Sequence, residues 1–170
     1  MPDTKSKIAE RLERAFAERG FTEPGVAELR ERAEVSIRTL YKHFPSRAGM
    51  ILAALEHRHR RYLAFLFPEG DAPTLYAVWS RVGRWMAENA STGCLFHAAV
   101  AAHPQDAALK ALLQRHKSEV AARLAECAGT PQAAVPLLLV HEGLVQSWPI
   151  EGEKAVASAR RLAAPLIPPA

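Results

Sequence analysis

Twelve residues, Ser36 to Arg47 (S-I-R-T-L-Y-K-H-F-P-S-R), gather the side chains best suited to holding a polyanion. Arg38, Lys42, His43 and Arg47 bring positive charge or a titratable donor, Ser36 and Thr39 bring hydroxyls, and no acid interrupts them. The pattern predicts a short helix that starts at the Ser36 cap and breaks before Pro45, with Ser46 capping the next helix. A compact cationic helix with hydroxyls at its start, placed ahead of a longer helix, has the shape that enters a DNA major groove.

The elements that must position this segment are helices. Ile8, Leu12, Ala15 and Phe16 recur at helical spacing and Gly20 comes next as a stop, after which Phe21 can fold back. Pro24-Gly25 opens a shorter helix with Val26, Leu29 and Ala33 inward, and a tight turn at Ala33-Glu34-Val35 leads into the cationic helix. Ile37, Leu40 and Phe44 form that helix's apolar side, and Ser46 starts a long helix to about Phe67. Three short helices with a tight turn between the second and third meet the packing demands of a helix-turn-helix. Beyond Pro68 the texture stays helical. Thr74 caps a stripe of Leu75, Val78, Trp79, Val82, Trp85 and Met86; Cys94 to Ala102 reads as a nearly all-apolar helix enclosed on most sides; and Pro104 suits the first turn of the next. Residues 131–148 form a long apolar helix, and a last one runs from Glu153 to about Leu166. The fold class expected is all-α with about nine helices, divided into a DNA-binding unit at 1–47 and a larger helical domain at 48–170.

Charge is unevenly placed. Residues 1–61 hold 13 Lys/Arg against 9 Asp/Glu, whereas the remainder is balanced, so the net +4 of the whole chain lies in its first third. That asymmetry favours a polyanionic partner for this third alone. The Arg58-His59-Arg60-Arg61 run reads as a solvated helix face. Cys94 and Cys127 are widely separated in apolar surroundings and read as reduced thiols. The N-terminus lacks the apolar run of a signal peptide, and no stretch reaches the length of a membrane span, so a cytoplasmic location without membrane association is expected. There is no Gly-rich phosphate loop, no G-x-S-x-G and no metal-ligand spacing among the histidines. The expectation is therefore no enzyme, no catalytic residue, no metal and no cofactor.

The run A-E-V-S-I-R-T-L-Y-K-H-F-P-S-R, with the earlier A-F-A-E-R-G-F, resembles the N-terminal signature of TetR/AcrR-type transcriptional regulators over about residues 8–55. Thr39, Tyr41 and Phe44 match its T-x-Y-x-x-F pattern, and Pro45, Ser46 and Arg47 match the Pro or polar residue and the basic residue after it. Gly93–Phe96 (G-C-L-F) resembles a pattern from one branch of the family's ligand-binding domains. The resemblance implies DNA contacts from Gly25, Ser36, Ile37, Arg38, Thr39, Tyr41, Lys42, His43 and Arg47. Within that set, Ser36, Thr39, Tyr41 and Arg47 are expected mainly on phosphates, which set register, and Arg38 and Lys42 on base edges, where either can donate to guanine. Ile37 can pack on a thymine methyl, and His43 can donate to a phosphate or cap the helix end. The chain departs from the family at three places. Gly25 replaces the usual Thr or Ser opening the second helix, Arg30 replaces a small residue, and Glu34 replaces the Gly of the turn.

The resemblance further implies a ligand-binding domain and a homodimer through the last two helices, at residues 131–166. The helix from 131 to 148 is too apolar to leave exposed, which agrees with a partner. Trp79, Trp85, Met86, Phe96, His97, His141, Glu142 and Trp148 are the candidate effector-lining residues. The leading expectation is a repressor that binds a palindromic double-stranded DNA operator and is released by a small-molecule effector. The alternatives are a ligand-independent or activating regulator on the same scaffold, or a helical protein-interaction module without DNA binding.

Overall fold

The computed structural model describes residues 3–167, so the first two and last three positions of the expected domains lie outside it. Among the described residues there are nine α-helices and two short 3-10 turns, with no strand. The helices are α1 (Thr4–Arg19), α2 (Val26–Arg32), α3 (Ile37–His43), α4 (Arg47–Leu66), α5 (Leu75–Asn89), α6 (Leu95–Ala102), α7 (Ala107–Ala128), α8 (Ala134–Glu151) and α9 (Glu153–Ala163). Two compact units result. One takes the described residues up to Arg61 together with Leu95–Leu113; the other takes Tyr62–Cys94 and the residues from Gln114 on.

In the first unit, α1 begins where the Asp3 carboxylate accepts from the Ser6 N–H at 2.7 Å, a bond that holds the Asp3 pKa below its ordinary value. The chain leaves α1 at Gly20, and Phe21 turns back so that its ring stacks on Phe16 at 5.1 Å. Ile8, Leu12, Phe16, Leu29, Leu40, Phe44, Met50 and Leu55 are buried, and α2 packs on both α1 and α3. The Arg58–Arg61 run is not a uniformly solvated face. Arg58 and His59 are buried, and the buried Glu13 carboxylate of α1 accepts from Arg58 Nη1 at 2.9 Å, with Arg61 Nη1 at 3.3 Å and His57 Nδ1 at 2.6 Å. A buried acid is tolerable only when charge and hydrogen bonds compensate it, so α4 turns its cations inward at this level and leaves Arg60 exposed.

The second unit has a continuous core of Leu66, Leu75, Val78, Trp79, Val82, Trp85 and Met86 with Val120, Leu124, Leu137, Leu144 and Val156. Close approach of α5 and α9 depends on Gly83: a Cβ there would lie 2.6 Å from Val156 Cγ2. Arg81 donates to the Leu66 carbonyl at 2.8 Å and pairs with Asp71 at 2.5 Å, fastening the α4–α5 connection.

Three local expectations change. Pro104 stands in a turn, and α7 instead starts after Asp106, whose carboxylate accepts from the Leu109 N–H at 3.0 Å. The apolar α6 is not enclosed on most sides: of its residues Leu95, Phe96 and Ala99 are buried, whereas Ala98 and Ala101 are exposed. The helix expected from 131 is preceded by a 3-10 turn at Pro131–Ala133 and runs on through Pro149 to Glu151. No helix among the described residues is long and apolar enough to cross a membrane.

Candidate nucleic-acid interface

The face that α3 presents is set by its two caps and by the turn before it. Ser36 Oγ accepts from the Thr39 N–H at 3.0 Å and lies 2.8 Å from Thr39 Oγ1, so both hydroxyls fix the first turn. At the far end the Phe44 N–H returns to the Leu40 carbonyl at 2.8 Å and Phe44 is buried. Upstream, α2 ends in a Schellman arrangement: the Glu34 N–H reaches the Glu31 carbonyl at 3.0 Å and the Val35 N–H reaches the Arg30 carbonyl at 3.4 Å. Such a turn places its hinge residue in the left-handed region, and Glu34 has φ 52. A non-glycine residue is held there by Arg11, whose guanidinium pairs with the Glu34 carboxylate at 2.7 Å and donates to the Ala33 carbonyl at 2.8 Å. The acid in this turn is therefore neutralised within the unit.

With Leu40 and Phe44 inward, the opposite side of α3 carries Ile37, Arg38, Tyr41 and Lys42, all exposed; Ile37 is 51% and Tyr41 41% accessible. These are two pairs at i, i+4, which form adjacent rows on one helix face. Among the described residues, the Arg38 and Lys42 side chains have no hydrogen-bond or ion-pair partner. Thr39 and His43 flank this face, and Ser46 caps α4 by accepting from the Gly49 N–H at 3.0 Å. Gly25 caps α2 through its backbone alone. Arg47 is placed differently from its neighbours in the motif. Its guanidinium donates to the carbonyls of Pro24 and of Phe21 (2.6 Å for the latter) and lies 5.9 Å from the Phe16 ring centre, closing the α1–α2 connection.

The residues considered for an effector divide between the units. Phe96 and His97 belong to the first; Trp79, Trp85, Met86, His141, Glu142 and Trp148 belong to the second. Trp79, Trp85 and Met86 are buried in the core, with Trp148 packed against it. His141 and Glu142 join a polar chain. His141 Nδ1 lies 3.0 Å from Glu142 Oε1, so Nδ1–H donates to the carboxylate and Nε2 accepts from the Tyr62 hydroxyl at 2.6 Å. Lys117 Nζ donates to the same carboxylate at 2.7 Å and lies 3.5 Å from Cys94 Sγ. Burial lowers the His141 pKa and keeps the ring neutral. Burial alone would raise the Glu142 pKa, but the His141 hydrogen bond and the Lys117 charge outweigh it and hold the value at about 2. Tyr62 and Lys117 were not legible as partners of this pair, because Tyr62 lies 79 positions from His141 and no local pattern links them. Among the described residues no group of His, Cys, Asp and Glu is arranged to hold a metal.

Comparison with known proteins places this geometry. Residues 8–54 match the family described as bacterial regulatory proteins, tetR family. No curated protein matches the sequence significantly. Among solved structures, a TetR-family transcriptional regulator from Streptomyces coelicolor superposes with a TM-score of 0.82 at 20% identity, covering 98% of this chain and 89% of that one. E. coli NemR in its reduced form gives 0.78 at 21% identity, covering 99% and 100%. A putative TetR-family regulator from Rhodococcus sp. gives 0.75 at 23% identity, covering 96% and 98%. At these identities the superpositions establish the shared fold, and the match over 8–54 establishes the module that carries α1 to α3. Residues 8–54 thus carry the module of the family described as bacterial regulatory proteins, tetR family, within a chain that shares the fold of these solved structures.

Proposed function

We propose that the chain is a transcriptional repressor that binds a palindromic DNA operator as a homodimer and is released by a small-molecule effector, with residues 1–47 binding DNA and 48–170 serving ligand binding and dimerisation. The observation that carries the reading is the exposed face of α3, where Arg38 and Lys42 stand without internal partners beside Ile37 and Tyr41. In a major groove, Arg38 and Lys42 donate to base edges and Ile37 offers an apolar contact, while Ser36, Thr39, Tyr41 and His43 lie toward the backbone. No catalytic step is assigned.

Dimerisation is supported by the outward face of α8. Val135, Leu139 and Ile150 are 66%, 68% and 85% accessible and recur at i, i+4 and i+15, along one stripe of the helix. Beside it runs a groove of about 250 Å³ between α8 and α9, lined by Leu139, Gly143, Ser147, Ser158 and Leu162, whose small residues admit a close-packed partner helix. Two copies joined there would offer two α3 helices to half-sites about one DNA turn apart. The effector reading rests on the aromatic side chains of the second unit and the polar chain through His141 and Glu142. Release requires the effector to bind the non-DNA-binding arrangement more tightly, since equal affinity shifts nothing.

The test is binding to duplex DNA selected by the protein from a randomised pool, measured across salt concentrations. Each neutralised phosphate contributes a slope of about −0.9 in log affinity against log salt. A steep slope with recovery of an inverted repeat is expected; a flat salt response, or no recovered duplex, refutes the reading.

A further inference from the structure

Most cations of residues 1–61 are engaged within their own unit. Arg14 pairs with Glu10 at 2.5 Å, Arg19 with Glu28 at 3.4 Å, Arg32 with Glu18, and Arg58 and Arg61 with Glu13. Arg11 holds Glu34, and Arg47 holds two carbonyls. Among the described residues, the side chains of Lys7, Arg30, Arg38, Lys42 and Arg60 have neither hydrogen bond nor ion pair, and that of Lys5 only lies over the Phe44 ring.

Arg30 is the member of this group that lies in α2, the helix before α3. It is exposed in the last turn of α2, and its carbonyl receives the Val35 N–H in the turn that leads into α3. On a helix its neighbours would be the residues three and four positions away. Val26, Ala27 and Ala33 offer no charge, and the single acid at such spacing is Glu34. Glu34, however, has left the helix at φ 52 and gives its carboxylate to Arg11. The exposed guanidinium of Arg30 is thus left without an internal partner in the last turn of the helix that precedes α3, and its planar fork suits a phosphate.

We propose that Arg30 grips a backbone phosphate of the DNA bound by α3. This rests on the DNA-binding reading above. A phosphate grip strengthens binding equally on all sequences and adds to the number of released counterions.

The experiment compares wild type, Arg30→Ala, Arg30→Gln, Arg30→Lys and Arg60→Ala on the duplex selected by the wild-type protein, by fluorescence anisotropy between about 50 and 200 mM salt. Arg30→Ala and Arg30→Gln, the second keeping the side-chain stem, should each bind about five- to tenfold more weakly near 0.1 M salt and show a slope shallower by about 0.9. Arg30→Lys should keep the wild-type slope. Arg60→Ala removes the same charge, but thirteen residues along α4 from Arg47, which is about 20 Å of helix and twice the roughly 10 Å screening length at 0.1 M. It should leave the slope unchanged. Wild-type slopes in Arg30→Ala and Arg30→Gln, or an equal change in Arg60→Ala, overturn the proposal. Failure of the wild-type protein to select any duplex instead overturns the DNA-binding reading.

Discussion

Arg47 separates a gripping role from a structural one, and replacing it with Ala measures the second. Its guanidinium donates to the carbonyls of Pro24 and Phe21 and lies over Phe16, so it ties the start of α4 to the connection between α1 and α2. Hydrogen bonds to a charged donor contribute about 1.5–3 kcal/mol each, and a ring contact at an accessible site adds about 0.5 kcal/mol. The side chain is half-buried, and water can reach part of the exposed carbonyls after truncation, so the low end of each range applies. The expected loss is about 3.5 kcal/mol, which is roughly a 300-fold rise in local opening. Tryptophan fluorescence would miss it, because Trp79, Trp85 and Trp148 all lie in the second unit. Hydrogen exchange across residues 21–35 reads it directly, with α8 and α9 as an unaffected reference. Arg47→Lys should fall between, since one ammonium cannot reproduce the planar fork spanning two carbonyls. Protection at 21–35 that changes less than about threefold in Arg47→Ala refutes the structural role. The salt slope of DNA binding in the same variant then reports whether its remaining N–H groups reach a phosphate, as the motif implies.

The same geometry leads to four further outcomes. Arg38→Ala should lose discrimination at one base position by about 1–3 kcal/mol, read by binding to a panel of single-base operator variants; a uniform loss over the panel refutes base reading by Arg38. Gly83→Ala gains helix propensity of about 1 kcal/mol but drives a Cβ to 2.6 Å from Val156 Cγ2, an overpacking that costs about 1–3 kcal/mol. A net loss of melting temperature, restored by adding Val156→Ala, is expected, and a stabilised single variant contradicts the packing. On acidification the second unit should weaken in two stages. His141, with its pKa lowered by burial, takes up its proton more readily when unfolded, so its contribution is complete above about pH 6.5 and declines below it. Glu142, held at about 2, contributes fully above its ordinary value of 4.5 and loses that contribution as pH falls toward 2. His141→Gln should flatten the first stage in tryptophan-detected unfolding, and an unchanged profile between about pH 7 and 5.5 counts against it. Leu139→Glu places a charge on the exposed stripe of α8 and should convert the proposed dimer to monomer in sedimentation; a dimer that survives locates the interface elsewhere.

The fold was legible where short-range rules are decisive. The caps at Ser36, Ser46 and Thr74, the stop at Gly20 and the stripes of α1 and α5 each depend on residues within a turn or two, and the structure places helices as those residues require. Reading Pro104 as a helix start failed for the same local reason in reverse: Asp106 two positions later is the stronger cap, because its carboxylate satisfies an N–H that proline cannot. What depended on distant pairing was not legible. Nothing near Glu13 in the sequence announces Arg58 and Arg61, and nothing near Tyr62 announces His141. The exposed face of α3, by contrast, is a direct consequence of placing Leu40 and Phe44 in a core.

Charge shows most clearly why a sequence count and a surface differ. The excess of cations over acids in residues 1–61 directs attention to a polyanion, yet it says nothing of which cations are available. Folding sorts them. Arg58 is drawn inward because a buried Glu13 requires it, Arg47 because two carbonyls at a chain connection require donors, and Arg11 because a left-handed glutamate needs an anchor. These three would each have counted toward a cationic surface. Arg30 passes the other way, remaining an exposed, unengaged cation in the helix before α3. Free charge next to α3, rather than total charge in the first third, is therefore the quantity that should govern the salt dependence of DNA binding.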